Sequence, residues 1–402
     1  MHEYSNPAVV LGGDVTGLGA ARSLGRVGVT VYYFDEEAAI ARYSRYCKKY
    51  FLLPRISRHK NELREALLKL QHHSNDGPVI FPASDSYALV VSDLIDELKG
   101  CHVPIARREI TEVLIDKRRF YKSLIKGNVP HPTTHFPQDL EDVKAISRTI
   151  SYPALVRPSS SQLFATLFHK KGFVANSREE LLRDFALLSK TGVDGLIQEI
   201  VKGPPTNHIF LDGYLDKESK PKALFVRRRL RMWPLLLGNS SLCISICASE
   251  VYSLKEMLFK YLRSIGWHGI FSAEFKMDQM NGLFKLLEIN ARTSAWFNTL
   301  SAKCGLNLMF LAYLDAVGKN VPYSEEYEAG TRWVCLRDDL RSSILMLKDG
   351  DLSIQGWVSS LQGKVDHLYY AKDDLRPLVM SLAHMVSGKP IGNPLRRIRS
   401  TG

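Results

Sequence analysis

The chain reads as an α/β protein whose amino-terminal part is a Rossmann-like, doubly wound domain. Residues 8 to about 110 alternate short apolar runs with helix-like ones, the pattern of a parallel sheet covered by helices. Residues 274–292, EFKMDQMNGLFKLLEINAR, hold two strand-like segments around an Asn281-Gly282 turn signal, which predicts a β-hairpin. A chain of 402 residues with 45% hydrophobic content can bury a large core in two or three domains.

In order, AVVLGG reads as a strand and GLGAARSLGRVG as a helix. VTVYYFD is a second strand, and VIFPASD a later one leading into the helix-like SYALVVSDLIDELKG. The turn Gly12-Gly13-Asp14-Val15-Thr16-Gly17-Leu18-Gly19, with Asp35 closing the second strand, suggests a dinucleotide fingerprint. Its spacing is wrong, because Arg22 stands where the third glycine belongs. A NAD-dependent oxidoreductase is therefore the weaker alternative. Ser84 and Asp85 fall at the carboxyl edge of the sheet, where ligands gather. Asp85 serves equally well as a helix N-cap.

ITEVLIDKRRFYKSLIKG reads as one helix ended by Gly127, with Lys117 among basic neighbours Arg118, Arg119 and Lys122. YPALVRPSSS is a strand on which Leu155 and Arg157 share a face. In RRRLR the alternation puts Arg227, Arg229 and Arg231 on one face and Arg228 on the other. A hairpin carries Glu274 and Glu288 to a common face, and Asn290, two residues on, points the same way. Two carboxylates and an amide oxygen suit a hard divalent cation that also holds phosphate oxygens. KDDLRPLVMSLAHMVSGKP reads as an amphipathic helix ended by Gly388 and Pro390.

The net charge of +12 favours anionic partners. No zinc-finger spacing, RNP-like aromatic motif or basic helix repeat is present, which argues against nucleic acid. No run spans a bilayer and no signal peptide opens the chain, so a cytoplasmic location is expected. The basic cluster Arg396-Arg397-Ile398-Arg399 allows at most a weak membrane-surface contact. Cys243 and Cys247, four apart, read as buried free thiols.

On Glu274, Glu288, Asn290 and Arg292, together with RRRLRMWP at 227–234 and GWHGIFSAEFKMD at 266–278, the chain resembles the ATP-grasp superfamily over roughly residues 8–320. Within it, the chain looks most like predicted ATP-dependent carboxylate–amine ligases, a group similar to D-aspartate ligase. The resemblance implies an ATP-grasp fold: residues 1–110 as amino-terminal domain, 111–198 and 199–320 as small and large α+β lobes clasping ATP, and 321–402 as a carboxy-terminal extension. It implies a metal site of Glu274, Glu288 and Asn290 for Mg²⁺ or Mn²⁺. Nucleotide contacts would come from Lys117, Arg157, Ser159, Ser160, Glu199, Ile200 and Val201. Arg157 departs from the family's lysine, and Ser159-Ser160-Ser161-Gln162 stands where a glycine-rich loop is usual. Catalytic Arg292 and Arg229 are implied, with Arg227, Gly13, Thr16, Gly17, Ser84 and Asp85 at a substrate. The expected activity is an ATP-dependent ligase joining small-molecule carboxylate and amine substrates through an acyl phosphate, in cell-surface polysaccharide or peptide modification. A homodimer is compatible with it. A degenerate ATP-grasp nucleotide binder is a second alternative, and a bicarbonate-using carboxylating enzyme a smaller one.

Overall fold

Four strands pair in parallel at the start of the chain. The computed structural model describes residues 4–56, 59–72, 76–159, 168 and 170–387. In it β1 (Ala8–Leu11), β2 (Val31–Asp35), β3 (Cys47–Leu52) and β4 (Val79–Pro82) form a sheet in the order β3-β2-β1-β4. Helices α1 (Val15–Gly25), α2 (Lys60–His72) and α3 (Asp85–Asp93) connect or follow these strands. Ala8 and Val10 of β1 enter one core, Val9 and Leu11 another. Both faces are covered, which is why this strand is apolar throughout.

The single helix expected over 111–126 is two helices. α4 (Arg108–Ile115) ends at Asp116, whose extended backbone (ψ 115°) breaks the run. The Asp116 carboxylate accepts from the Arg119 N–H at 2.8 Å and so caps α5 (Lys117–Lys126). Lys117 thereby becomes the first residue of a helix, and its N–H donates to Ser159 O at 3.1 Å.

A second, antiparallel sheet follows, in the order β5-β8-β6-β7. It contains β5 (Thr134–His135), β6 (Ala154–Pro158), β7 (Phe173–Ala175) and β8 (Gly195–Glu199), with α6 (Leu140–Ile146) and α7 (Arg178–Ser189) on its back. Val156 belongs to that back core, so Leu155 and Arg157 face the other way.

The third sheet has seven strands, in the order β13-β12-β9-β10-β11-β14-β15. They are β9 (His208–Leu215), β10 (Pro221–Trp233), β11 (Asn239–Ser245), β12 (Gly269–Met277), β13 (Phe284–Asn290), β14 (Arg332–Val334) and β15 (Val365–His367). The helices around it are α8 (Tyr252–Ser264), α9 (Ala295–Lys303), α10 (Leu308–Ala316), α11 (Leu336–Lys348), α12 (Ile354–Ser360) and α13 (Arg376–Ser387). Ile209, Leu211, Ala273 and Phe275 line its apolar face with Leu258 and Leu262 of α8. The opposite face is polar at the end that carries the site, while at the other end Tyr214, Phe225, Cys243 and Ile270 enter the second core. Cys243 is buried on β11 but Cys247 is exposed, so the buried thiol pair expected there is half realised. No helix among the described residues is long and apolar enough to cross a membrane.

The carboxy-terminal helix begins later than its pattern suggested, at Arg376, and Gly388 and Pro390 lie outside the described residues. Asp373 and Asp374 are needed elsewhere. Asp374 accepts from Arg22 Nε at 2.9 Å, from Ser44 Oγ at 2.7 Å and from Arg45 N at 2.9 Å. Arg22 spends its remaining donors on the carbonyls of Leu368, Tyr369 and Asp374. Both side chains are 1% exposed, and Arg26 with Asp373 forms an outer pair at 2.8 Å. Removing one partner of a buried pair strands the other charge, at a cost of about 3–5 kcal/mol. Asp374→Ala should therefore lower stability in urea by about that amount, whereas Asp373→Ala, at the exposed pair, should cost about 1 kcal/mol or less. Equal midpoints for the two variants would show that the inner pair is not what fastens α1 to the carboxy-terminal segment.

Candidate functional site

The hairpin expected over 274–292 forms, and Gly282 takes the positive φ (71°) that its turn requires. Glu274 on β12 pairs directly with Glu288 on β13, Ser272 with Asn290, and Phe275 with Leu286. Leu287 is thus one residue extra, a β-bulge that resets the alternation of β13. Tyr121 Oη of α5 donates to Leu287 O at 2.6 Å and holds the bulge. The two carboxylates share the polar face of the large sheet, opposite the small antiparallel sheet. Leu155, Arg157, Gln198 and Glu199 line the resulting cleft from the small sheet; His208, Arg229, Glu274, Lys276 and Glu288 line it from the large one.

Glu274 is held by charge. His208 Nδ1 lies 2.7 Å and Arg229 Nη1 3.1 Å from its Oε1. Burial pushes its carboxyl up, but Arg229, His208 and Lys171 outweigh this and hold it well below the usual carboxylate range. Both contacts use Oε1, which leaves Oε2 for a cation. Glu288 is held more loosely, with Asn290 Nδ2 at 3.4 Å and Arg157 Nη2 at 4.0 Å. Asn290 Oδ1 accepts from Arg292 Nη2 at 3.1 Å. This donor set of two carboxylates and an amide oxygen is all oxygen, and fits Mg²⁺ or Mn²⁺. Among the described residues no group of three or more His, Cys, Asp or Glu forms a metal cluster, so the amide is needed to complete it.

Cations face these acids from β6, from the start of α5 and from the residues before β7. Arg157 Nη1 donates to Gln198 Oε1 at 3.1 Å, which turns the guanidinium along the cleft toward Glu288. Lys117 is half-buried. Desolvation and then Arg157 pull its pKa down to about 8, against Glu288 and Asp85. Ser159 follows β6, while Ser160 lies outside the described residues. Lys171, which the sequence reading missed, also lines the cleft, and its Nζ reaches Asn239 Oδ1 on β11 at 2.9 Å. Its only signal was its place as part of a lysine pair just after the serine loop.

Glu199, Ile200 and Val201 line the far end of the cleft. Glu199 Oε1 accepts from Lys285 Nζ at 2.5 Å and from Thr133 N at 2.9 Å, and Lys276 Nζ donates to Val201 O at 2.7 Å.

The arginine run is divided. Leu230 is a bulge residue, so Met232 rather than Arg231 continues the cleft face of Arg229. Arg231 instead pairs with buried Asp339 of α11 at 2.8 Å. This corrects the single arginine face expected from simple alternation. Arg227 keeps the Arg229 face but is 1% exposed. It is taken by Asp212 at 2.7 Å and stacked over Phe210 at 3.9 Å. A group so enclosed does not meet a ligand, which removes it from the substrate set.

Arg292 joins the large sheet to the amino-terminal one. Its Nε donates to Asp85 Oδ1 at 2.6 Å, and Nη1 to Thr293 O at 3.0 Å. Ser84, not Asp85, caps α3, which frees the Asp85 carboxylate for this contact. Gly13, with φ 84°, lies so close to Ala83 that a Cβ would stand 2.3 Å from its carbonyl oxygen. Thr16 and Gly17 are buried residues of α1. A Cβ on Gly17 would stand 2.2 Å from the Tyr33 ring, so this glycine serves helix–sheet packing.

Known proteins are similar to this chain in sequence or in fold. The chain is similar to D-aspartate ligase of Enterococcus faecium, 24% identical over 344 residues that cover 79% of this chain and 78% of that one. Among solved structures it is similar to N5-carboxyaminoimidazole synthetase of Staphylococcus aureus complexed with ADP, with TM-score 0.64 and 17% identity, covering 81% of this chain and 80% of that one. It is also similar to L-amino acid ligase of Bacillus licheniformis, with TM-score 0.62 and 13% identity, covering 81% and 77%. No family model matches. These likenesses bear out the ATP-grasp resemblance and agree with an ATP-dependent ligase.

Lys117 supplies a pH test. Its folded pKa of about 8 lies below the ordinary 10.5, so between those values the unfolded chain binds more protons and stability rises with pH. Phosphate oxygens beside Lys117 would raise its pKa again. ATP binding near pH 8.5 (about half a unit above that pKa) should then take up protons, read by calorimetry in buffers of different ionisation enthalpy. Lys117→Arg should reduce the uptake, leaving the part due to Lys171, whose pKa burial also lowers. Native binding without proton uptake would place the phosphates away from Lys117.

Proposed function

We propose that the protein is an ATP-dependent carboxylate–amine ligase that forms an amide through an acyl phosphate. The observation that carries this is the pairing of Glu274 with Glu288 on one sheet face, opposite Arg157 and Lys117 across a cleft. Residues 1–110 serve as a Rossmann-like acceptor domain, 111–198 and 199–320 as the clasping lobes, and 321–402 as an extension. The cytoplasm is the proposed location, with a homodimer as the assembly to test.

ATP would lie with its base at Glu199–Val201 and its phosphates beside Lys117, Arg157, Ser159 and Lys171. Glu274, Glu288 and Asn290 would hold Mg²⁺, which neutralises phosphate oxygens when bound. A substrate carboxylate oxygen attacks the γ-phosphorus, the bond to the ADP oxygen breaks, and an acyl phosphate forms. The amine nitrogen then attacks the acyl carbon. The C–O bond to phosphate breaks, releasing phosphate, and the nitrogen loses a proton. Arg292 and Arg229 would steady the negative charge that grows on the acyl oxygens. Asp85, Ser84 and Gly13 lie where the acid or the amine would be oriented. No side-chain nucleophile is required, so the chemistry rests on position and charge.

The test is Mg²⁺-dependent ADP release across D- and L-amino acids and uronic acids, with and without amines, and with bicarbonate as a separate arm. One acid should release ADP, and an amine should convert that release into an amide product. Glu288→Gln should reduce it by about 10²-fold or more while the fold persists. ATP binding with no release for any acid would leave a nucleotide-binding protein without ligase activity; release with bicarbonate alone would make it a carboxylating enzyme.

The cations give a graded check. A charge-assisted phosphate contact is worth roughly 1.5–3 kcal/mol, so Arg157→Ala and Lys171→Ala should each weaken ATP by about one to two orders of magnitude. Arg157→Lys should stay near native. Unchanged affinity in either alanine variant removes that residue from the nucleotide site.

A further inference from the structure

Asp85 stands where the amino-terminal domain meets the large sheet. Its side chain is 48% exposed although it is bonded to Arg292 at 2.6 Å. As the first residue of α3 it occupies a place where negative charge is favoured. Ser84 supplies the cap of that helix by accepting from Tyr87 N, so the Asp85 side chain is turned to other use. A carboxylate has about four acceptor sites, and the Arg292 bond does not exhaust them.

The other acids of the cleft have different work. Glu274 is clasped by His208 and Arg229, and Glu288 faces Arg157 from the same sheet. These two are the proposed metal donors. Glu199 accepts from Lys285 and from Thr133 N. Asp85 instead adjoins the guanidinium proposed to steady the acyl oxygens. Its charge also opposes the desolvation that lowers the Lys117 pKa, so it is felt at the proposed phosphate end.

Charge decides which substrate Asp85 meets. The acid must reach the phosphate as a carboxylate, which Arg292 attracts and Asp85 repels. A primary amine arrives as an ammonium ion, which Lys117, Arg157 and Arg292 repel and Asp85 attracts. We propose that Asp85 receives the amine substrate as an ammonium ion and orients its nitrogen toward the acyl carbon. This rests on the ligase reading, and makes the amine rather than the acid the substrate held by the amino-terminal domain. The ammonium gives one proton to water to free its lone pair. The C–N bond forms, the C–O bond to phosphate breaks, and the nitrogen gives up a second proton.

The test uses hydroxylamine, a nucleophile that is neutral at neutral pH and traps acyl phosphates as hydroxamates. The full chain is given ATP, Mg²⁺ and each amino acid or uronic acid in turn, and methylamine, ethanolamine and glycinamide compete with hydroxylamine. At least one amine should compete. Asp85→Asn keeps an amide oxygen for Arg292 Nε but loses the charge. It should weaken that competition by about tenfold to a hundredfold, and should raise the KM for hydroxylamine far less. Asp85→Glu should recover part of the loss. An equal loss toward hydroxylamine and the amines would make Asp85 a positioning residue for Arg292 and overturn the proposal. So would native competition in Asp85→Asn, or hydroxamate formation with which no amine competes. Absence of hydroxamate with every acid would instead bring down the ligase reading, and this inference with it.

Discussion

The candidate site depends on one extra residue in a strand. If β13 kept the register of its first three pairs, Leu287 would stand opposite Glu274 and Glu288 would point into the apolar layer beside Phe275. The bulge at Leu287 moves every later residue of β13 to the other face, so Glu288 and Asn290 arrive beside Glu274. The Leu287 carbonyl left over by the bulge is taken by Tyr121. Through that bond helix α5, with Lys117 at its start, is placed from the same irregularity. The residues proposed to hold metal and the lysine proposed to face phosphate are thus set by one local break in a ladder.

The polar face of the large sheet is a ladder of opposite charges. Asp212 with Arg227 is sealed, Glu274 with Arg229 borders the cleft, and the Phe210 ring lies under both guanidinium groups. Buried pairs are costly to desolvate and are weak sources of net stability. Their effect here is on position. A guanidinium held by Asp212 on one strand and Ser272 on the next keeps the strands in register. Arg229, tied to Ser240 as well as Glu274, has little freedom to swing. The carboxylate it holds is therefore presented in a fixed rotamer, which suits a site that works by preorganised charge.

Much of this was legible in the sequence because it follows from periodicity and turn chemistry. The hairpin, the parallel first sheet, and the shared face of Leu155 and Arg157 all obey an alternation of two or a turn signal. What was not legible is where alternation breaks. Bulges at Leu230 and Leu287 have no residue signature in RRRLR or KLLEIN, since a leucine fits a regular strand position as well as a bulged one. The first misplaced Arg231; the second happened to preserve the expected pairing of acids. Asp116 was readable in principle as a cap, but its strong helical surroundings hid the break. Arg227 and Lys171 were decided by tertiary distance. One meets Asp212 on a neighbouring strand and the other Asn239 across the cleft, and no local pattern encodes either contact. Gly17 shows that a glycine turn at a strand end can answer to packing against Tyr33 as well as to a ligand.

The Arg22–Asp374 pair joins residues 352 positions apart in the chain. During synthesis Arg22 emerges long before its partner. At about 5–20 residues per second the wait is on the order of tens of seconds. Throughout that interval the inner side of α1 faces a vacant seat, with a guanidinium that cannot be buried unpaired. The first parallel sheet must therefore persist as a partly open layer until the last quarter of the chain arrives to close it. A nascent chain cut short before residue 374 would keep that layer open to chaperones and proteases. Arrival of Asp374 is thus built into the fold as a checkpoint on the survival of the segment that precedes it.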